Sequence, residues 1–477
     1  MHNQLFYGDN LEYLRQNIKN DFVDLCYIDP PFNSSRNYNQ IYNQSGNKNK
    51  FHSPAFIDIW TWDNKAQEGF TQIIGNYQGR FTPQSIALIT GLSNVLDKGS
   101  LLAYLVNITL RVAEIHRVLK PSGSFYLHCD PTASHYLKLV LDTIFCPQGG
   151  YFQNEIIWCY SVGGKTKERF ASKHDVIFYY TKTNQYTFNI EAASISRKPK
   201  SHMKLRVDTD GREYQEKIDR KTGKVYKYYL DEGKIAEDYW TDIETLNRGD
   251  KQRLGYPTQK PEALLERIIK VSSNEGDLVL DAYCGCGTTL VVAQRLKRHW
   301  IGMDITYQSI SLCLKRFEDS FDKNVAAQVN LNGIPSNLKE AIALSKLQGK
   351  EFEKWAILTY SNNRAIIERK KDKNKSVDGI VYFLGESGEQ EKIILQVKPG
   401  DVNSDDIKEL DDKRKREQAA IAIFITLKTP NSEMSQQAIA CGIYNHQASR
   451  CNYPRLKIVT IKEMLEEAKR LDTFFFL

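Results

Sequence analysis

A chain of 477 residues is too long for one ordinary domain and suits two or three. With 41% hydrophobic and 26% charged residues it has enough apolar matter for a core, and a net charge of +7 admits a polyanionic partner without demanding one. Nine cysteines without disulfide-like spacing, an opening with no basic-then-apolar leader and no apolar run of about 18 residues exclude a disulfide scaffold and a membrane span, and a reducing, cytoplasmic setting is expected. The Cys284-x-Cys286 pair lacks a second ligand pair at a suitable spacing, so no zinc is expected there.

In chain order, Phe22 to Ile28 is an apolar run that stops at Asp29-Pro30-Pro31, which predicts a buried strand ending in a rigid loop. Leu102 to Leu119 has helical spacing and stops at Lys120-Pro121-Ser122-Gly123, and Ser124 to His128 follows as a strand. Glu155 to Tyr160 and Asp175 to Thr181 read as two strands flanking a Gly163-Gly164 turn. Residues 185–250 are polar and weakly periodic and read as an insert. A helix is predicted from Pro261 to Ser272, then a strand from Leu278 to Tyr283, a glycine loop over 284–287, a helix from Thr288 to Lys297 and a strand from Trp300 to Asp304. Alternating strands and helices predict an α/β fold with a mostly parallel sheet covered on both faces. Residues 321–348 read as a linker. Beyond them, helices at Glu351–Tyr360 and Asp405–Gln418 and strands at Val377–Phe383, Lys392–Lys398 and Ala419–Thr426 predict a separate α/β unit. There is no internal repeat.

Asp281-Ala-Tyr-Cys-Gly-Cys-Gly-Thr-Thr is a strand that ends in a glycine loop and opens a helix. Glycines 285 and 287 let a ligand approach the backbone, and the helix start offers free N–H groups. Asp304 lies ~20 residues on, where an acid in dinucleotide folds accepts the ribose hydroxyls. A bare strand-to-helix turn is the plainer alternative. Leu290 stands where the dinucleotide pattern has its third glycine, and Gly164-Lys165-Thr166 lacks the upstream glycine of a phosphate loop, so neither nucleotide class is supported.

In Asp29-Pro30-Pro31-Phe32 the prolines fix the backbone, so the Asp29 carboxylate and the Pro30 carbonyl point in set directions. Together they can accept both protons of one –NH2 group, localising electron density on a nitrogen that is to be methylated. Phe32 offers a face on which an extruded base can stack. A proline-rich turn capping a strand is the alternative.

These motifs, in this order, resemble the beta-ordered DNA amino-methyltransferases, in which the target motif precedes the cofactor motif. Ile28 to Asn33 resembles the catalytic motif, with Asp29, Pro30, Pro31 and Phe32 as its working residues. Asp281 to Thr289 resembles the cofactor loop, with Tyr283 for the usual Phe and Cys286 for the usual small residue. The resemblance implies an S-adenosylmethionine site made of Asp9, Asp281, Tyr283, Gly285, Gly287, Thr288, Thr289 and Asp304. Gly255 to Pro261, with Thr258 and Lys260, resembles the segment that closes over that cofactor. Phe6 to Asn10 resembles the segment that brings Asp9 near the cofactor adenine, and Trp158 with Lys173-His174-Asp175 resembles the strand pair beside the target pocket. The implied fold is a Rossmann-like methyltransferase with an inserted target recognition domain. The implied activity is methylation of a flipped base in double-stranded DNA within a restriction-modification system. Asp at the head of the motif favours adenine N6 over cytosine N4, and the absence of any Pro-Cys dipeptide excludes cytosine C5 chemistry.

The insert interleaves Lys198, Lys200, Arg206, Arg212, Lys217, Arg220, Lys221, Lys224 and Lys227 with Tyr214, Tyr226, Tyr228 and Tyr229, which suits phosphate contact, although a solvated insertion reads the same way. The C-terminal unit resembles the Mrr-type branch of the PD-(D/E)xK endonuclease fold. That resemblance puts Asp378, Gln396 and Glu353 at a Mg²⁺ site with Lys398 positioning water. Gln396 departs from the commoner acid. Lys413-Arg414-Lys415-Arg416 suits a phosphate-contacting helix face or a merely solvated one. The expected layout is a catalytic half over 1–184, a recognition insert over 185–250, a cofactor half over 251–320, a linker over 321–348 and the endonuclease-like unit over 349–477. A cognate restriction endonuclease and a homodimer stay open as partners. The rivals are a restriction–modification fusion that cuts DNA, a decayed DNA-binding protein and an RNA methyltransferase.

Overall fold

The apolar run before Asp29 becomes a central strand because both of its faces can be buried. A computed structural model describes residues 3–33, 36–42, 51–58, 60–161, 167–195, 197, 199–201, 203–247, 249–321, 323–367, 377–385, 389–446, 451–472 and 475. The Gly163-Gly164 turn, Lys165, Thr166, Lys198 and Ser376 lie outside the described residues. The strands of the larger sheet are β1 (Gln4–Tyr7), β2 (Val23–Ile28), β3 (Leu119–Cys129), β4 (Tyr151–Cys159), β5 (His174–Thr181), β6 (Tyr239–Trp240), β7 (Leu278–Asp281), β8 (His299–Asp304) and β9 (Asn330–Asn332). They lie in the order β6-β4-β5-β3-β2-β7-β8-β1-β9. The run from β3 to β9 is parallel, and β5 pairs antiparallel with both β3 and β4.

The helices that matter here are α1 (Asn10–Asn17), α2 (Ser100–Val118), α3 (Glu262–Ser272), α4 (Thr288–Arg295), α5 (Tyr307–Ser320), α6 (Gly349–Tyr360) and α7 (Ser404–Arg416). Pro261 caps α3, and the Lys120–Gly123 stop is absorbed into β3 as an irregularity, where the register with β2 slips between Val23 and Leu25. From β2 the chain returns to the sheet through α2 on one side, and from β7 through α4 on the other. Connections leaving adjacent strands in opposite directions open a crevice at their carboxyl ends. The close helix–strand approach that a third loop glycine gives in dinucleotide folds comes here from the strand side. A side chain on Gly302 of β8 would collide with Leu290 of α4.

Two expectations change. Residues 321–348 contain the helix Leu338–Leu347 and β9, which pairs with β1, so a short piece of the expected linker joins the methyltransferase sheet. The end of the insert is likewise part of that sheet, since β6 pairs with β4. The rest of the insert includes a small antiparallel sheet of Leu205–Val207, Glu213–Ile218 and Val225–Tyr229 and a two-stranded pair of Ser194–Ile195 with Lys234–Ile235.

The C-terminal sheet has the order β10 (Ile366–Ile367), β11 (Gly379–Leu384), β12 (Gln390–Lys398), β13 (Ile421–Thr426) and β14 (Leu456–Thr460). One face of it packs a cluster of its own, with Val377, Ile380, Ile394, Ile407 and Phe424, and the other shares its core with the first sheet. One buried cluster runs from Val279 and Trp300 through Ile310 and Phe317 of α5 to Phe352 and Trp355 of α6 and Leu395 of β12. Among the described residues, no helix is long and apolar enough to cross a membrane.

Candidate functional site

The crevice between β2 and β7 is the mouth of one cavity of about 1130 Å³. Asp29, Pro30, Pro31 and Phe32 line it from the end of β2, and Asp281, Tyr283, Gly285, Thr288 and Thr289 line it from the end of β7 and its loop. Asp9, Asp304, Thr258 and Lys260 also reach it. Gly287 does not. Its φ of +76° opens α4, and a Cβ there would stand 2.8 Å from the Cys313 sulfur, so it shapes the turn and not the cavity wall.

On the cofactor side, Asp304 accepts from the Gly285 backbone N–H at 3.1 Å with one oxygen, and from the Thr306 N–H and hydroxyl at 2.9 and 3.0 Å with the other. Asp281 accepts from the Tyr283 N–H at 3.0 Å. Burial pushes the Asp281 carboxyl up to about 7, helped by repulsion from Asp29 and Asp304, and burial pushes Asp304 up to about 6. Two buried acids at a glycine loop fit a ligand that brings a cation and hydroxyl donors, as S-adenosylmethionine does with its ammonium and ribose. Asp9 caps α1 by accepting from the Leu11 N–H at 2.9 Å and pairs with Arg111 at 2.8 Å.

Sequence reading missed Arg111 and Asn10. The Arg111 guanidinium donates to Asn10 at 2.6 Å, and the Asn10 amide donates to the Ala282 carbonyl at 2.7 Å, which ties the first segment to the cofactor loop. The one available signal was a cation inside an otherwise apolar stretch of α2.

On the target side, the Lys260 ammonium donates to Asp29 Oδ2 at 2.6 Å and sits 5.1 Å from the centre of the Phe32 ring. Asp29 Oδ1 is buried and has no hydrogen-bond partner among the described residues. The Asn33 N–H and the Trp60 indole donate to Asp58 Oδ1 at 2.7 and 3.1 Å, which fixes the chain just after Phe32. Phe32 lies nearly parallel to His128, with centroids 6.0 Å apart. His128 is held by the Tyr27 hydroxyl at 2.8 Å and Asp175 at 3.0 Å, and the Tyr160 hydroxyl donates to Asp175 at 3.0 Å. Of the expected Lys173-His174-Asp175 run, Asp175 therefore joins this network with Trp158, whose ring meets His128 edge-on at 5.7 Å. Lys173 instead donates to the Ser161 carbonyl.

The residues expected at a Mg²⁺ site carry other partners. Gln396 accepts from the Lys413 ammonium at 3.1 Å, placing a cation where a metal ligand was expected, and Lys398 is paired with Asp406. Asp378 accepts from the Val397 N–H at 2.8 Å. No group of three or more His, Cys, Asp or Glu among the described residues could hold a metal ion. Lys413 and Arg414 of the basic run are buried against Glu409 and Asp411, so they form no open phosphate-binding face. In the insert, Arg206, Arg212 and Lys227 pair locally with Glu216, Asp231 and Asp208.

Residues 350–466 match a family model described as NACHT-associated inactive Restriction Endonuclease 1. The type II methyltransferase M.HpaI of Haemophilus parainfluenzae is 30% identical over 253 residues, 53% of this chain and 71% of that protein. The DNA adenine methyltransferase YhdJ of Escherichia coli (strain K12) is 27% identical over 316 residues, 66% of this chain and 82% of that protein. The solved M1.HpyAVI–SAM complex aligns with 66% of this chain and 98% of its own, at 17% identity and a TM-score of 0.35. The model of the N6/N4 DNA methylase family matches residues 23–315 of the 477, and the chain belongs to that family.

Proposed function

We propose that this chain methylates N6 of an adenine flipped out of double-stranded DNA. The observation that carries this reading is Asp29 Oδ1, a buried acceptor with no partner among the described residues, in one cavity with Asp281 and Asp304. A buried acceptor left unpaired is costly unless a ligand completes it, and an exocyclic amine brings the missing donor. When bound, S-adenosylmethionine supplies an electrophilic methyl group. Asp304 and Gly285 would hold its ribose end and Asp281 its ammonium. The amine donates one hydrogen bond to Asp29 Oδ1 and the other to the Pro30 carbonyl, which localises the nitrogen lone pair for attack. Lys260 keeps the second Asp29 oxygen fixed, and Phe32, backed by His128, stacks on the base.

Adenine is favoured by Asp at the head of the motif, and a relative that is 27% identical over 316 residues is named for adenine methylation. Lys217, Arg220, Lys221 and Lys224 of the insert carry no ion pair among the described residues and are the proposed phosphate contacts. Expression in a methylation-deficient bacterial host, followed by sequencing that separates the two modified bases, tests the reading. N6-methyladenine at a fixed sequence supports it, and N4-methylcytosine overturns the choice of base.

A further inference from the structure

The C-terminal unit does not merely trail the methyltransferase. Gln348, Lys350, Glu351, Glu353, Lys354 and Asp378 line the same cavity as Asp29, Gly285 and Asp304. The face that carries the expected nuclease residues Asp378 and Glu353 is therefore turned toward the methyl-transfer site. The contact is built, not incidental. Phe352 and Trp355 of α6 belong to the buried cluster that contains Ile310 and Phe317 of α5, and the Tyr307 hydroxyl meets the Thr359 hydroxyl at 3.0 Å.

At the centre of this junction is Glu351. Its Oε2 accepts from the Tyr307 backbone N–H at 3.1 Å, and its Oε1 accepts from the Lys354 ammonium at 2.7 Å. Tyr307 is the first residue of α5, so the carboxylate also sits at the positive end of a helix. The turn it grips begins at Asp304. The Asp304 carbonyl in turn accepts from the Gly8 N–H at 3.0 Å, and Tyr7, just before Gly8, meets the Tyr307 ring edge-on at 5.7 Å. Glu351 thus anchors, from the C-terminal unit, the backbone that aims the Asp304 carboxylate into the cavity.

We infer that Glu351 is a positioning residue for the cofactor site, and that the C-terminal unit serves as a wall of that site. This rests on the reading of the cavity as an S-adenosylmethionine site. Because Glu351 acts through the 304–307 turn and touches neither Asp29 nor Phe32 in this arrangement, its loss weakens cofactor binding and spares the methyl-transfer step. By linkage, bound cofactor stabilises the docked C-terminal unit to the same degree.

The test uses the full chain with S-adenosylmethionine as the probe. Glu351→Ala is expected to raise the cofactor Kd and KM about tenfold, the size of one missing charge-assisted hydrogen bond, with kcat at saturating cofactor near wild type. In Glu351→Gln the Tyr307 N–H and the Lys354 ammonium compete for the one amide oxygen, so it recovers part of that affinity, with the unliganded Tm near that of the wild type. Lys392→Met, which breaks an ion pair with Glu417 elsewhere in the same unit, leaves cofactor binding unchanged. Wild-type cofactor affinity in Glu351→Ala overturns the inference. So does a joint fall of kcat and Tm in Glu351→Gln. A wild-type chain that binds no S-adenosylmethionine overturns the proposed function itself, which is a separate result.

Discussion

Replacing Asp29 with Asn tests the acceptor geometry with little change of shape. Lys260 donates to Asp29 Oδ2 at 2.6 Å, and its side chain is only 9% exposed, so its ammonium has no easy route to solvent. In the Asp29→Asn variant the one amide oxygen is drawn to Lys260, and the –NH2 turns to the place of Oδ1. A donor then faces the donor amine of the base. The loss exceeds that of a missing charge and resembles the removal of a preorganised transition-state partner, about 10²–10³ in kcat. Cofactor binding is preserved. Asp29 repels Asp281, so neutralising it favours the ionised form of the cofactor-side acid. Single-turnover transfer of a labelled methyl group gives the rate, and calorimetric titration gives the cofactor Kd. A near-wild-type rate in Asp29→Asn, or loss of cofactor binding with an intact fold, refutes the reasoning.

Other consequences follow from the same geometry. Burial holds protons on Asp281 up to about 7 and on Asp304 up to about 6, whereas an unfolded Asp releases its proton near 3.8. The folded, unliganded chain therefore binds more protons than the unfolded one across that window and loses stability as pH rises through it. The cofactor prefers the ionised acids, so its affinity rises through the same range and then levels. Thermal melts and titrations between about pH 5 and pH 8 check both signs. Asp304→Asn removes a carboxylate that burial disfavours, so it leaves the unliganded Tm unchanged or raised while weakening cofactor binding. A drop in both contradicts the ribose assignment. Neutralising Arg220, Lys221 and Lys224 together flattens the salt dependence of DNA binding by about 0.9 for each phosphate no longer neutralised. Mg²⁺ yields no cleavage of unmethylated DNA, and chelation leaves methyl transfer unchanged. Cleavage products that vanish in Asp378→Asn contradict the dismantled nuclease centre.

Much of the methyltransferase was legible because its strands are apolar runs with chemistry at their carboxyl ends. Asp29 after β2, the Gly285 loop after β7 and Asp304 ending β8 each follow a run whose burial makes it a strand. What stayed hidden depends on contacts across long stretches of chain. Arg111 reaches Asp9 and Asn10 from a helix about a hundred residues away, and Asp58 fixes Asn33 across a segment with no motif of its own. The short strand Asn330–Asn332 is polar and becomes a strand only by pairing with Gln4–Phe6. The nuclease-like pattern shows the same limit. Asp378, Gln396 and Lys398 have the spacing of a metal site, but Lys413 and Asp406 come from α7 and occupy Gln396 and Lys398. Local spacing does not report such partners.

The most direct measurement is in vitro transfer from labelled S-adenosylmethionine to unmethylated double-stranded DNA, with nucleoside mass spectrometry of the product for the wild type and Asp29→Asn. The predicted result is N6-methyladenine with the wild type and almost none with the variant. N4-methylcytosine, or equal N6-methyladenine from both proteins, contradicts it.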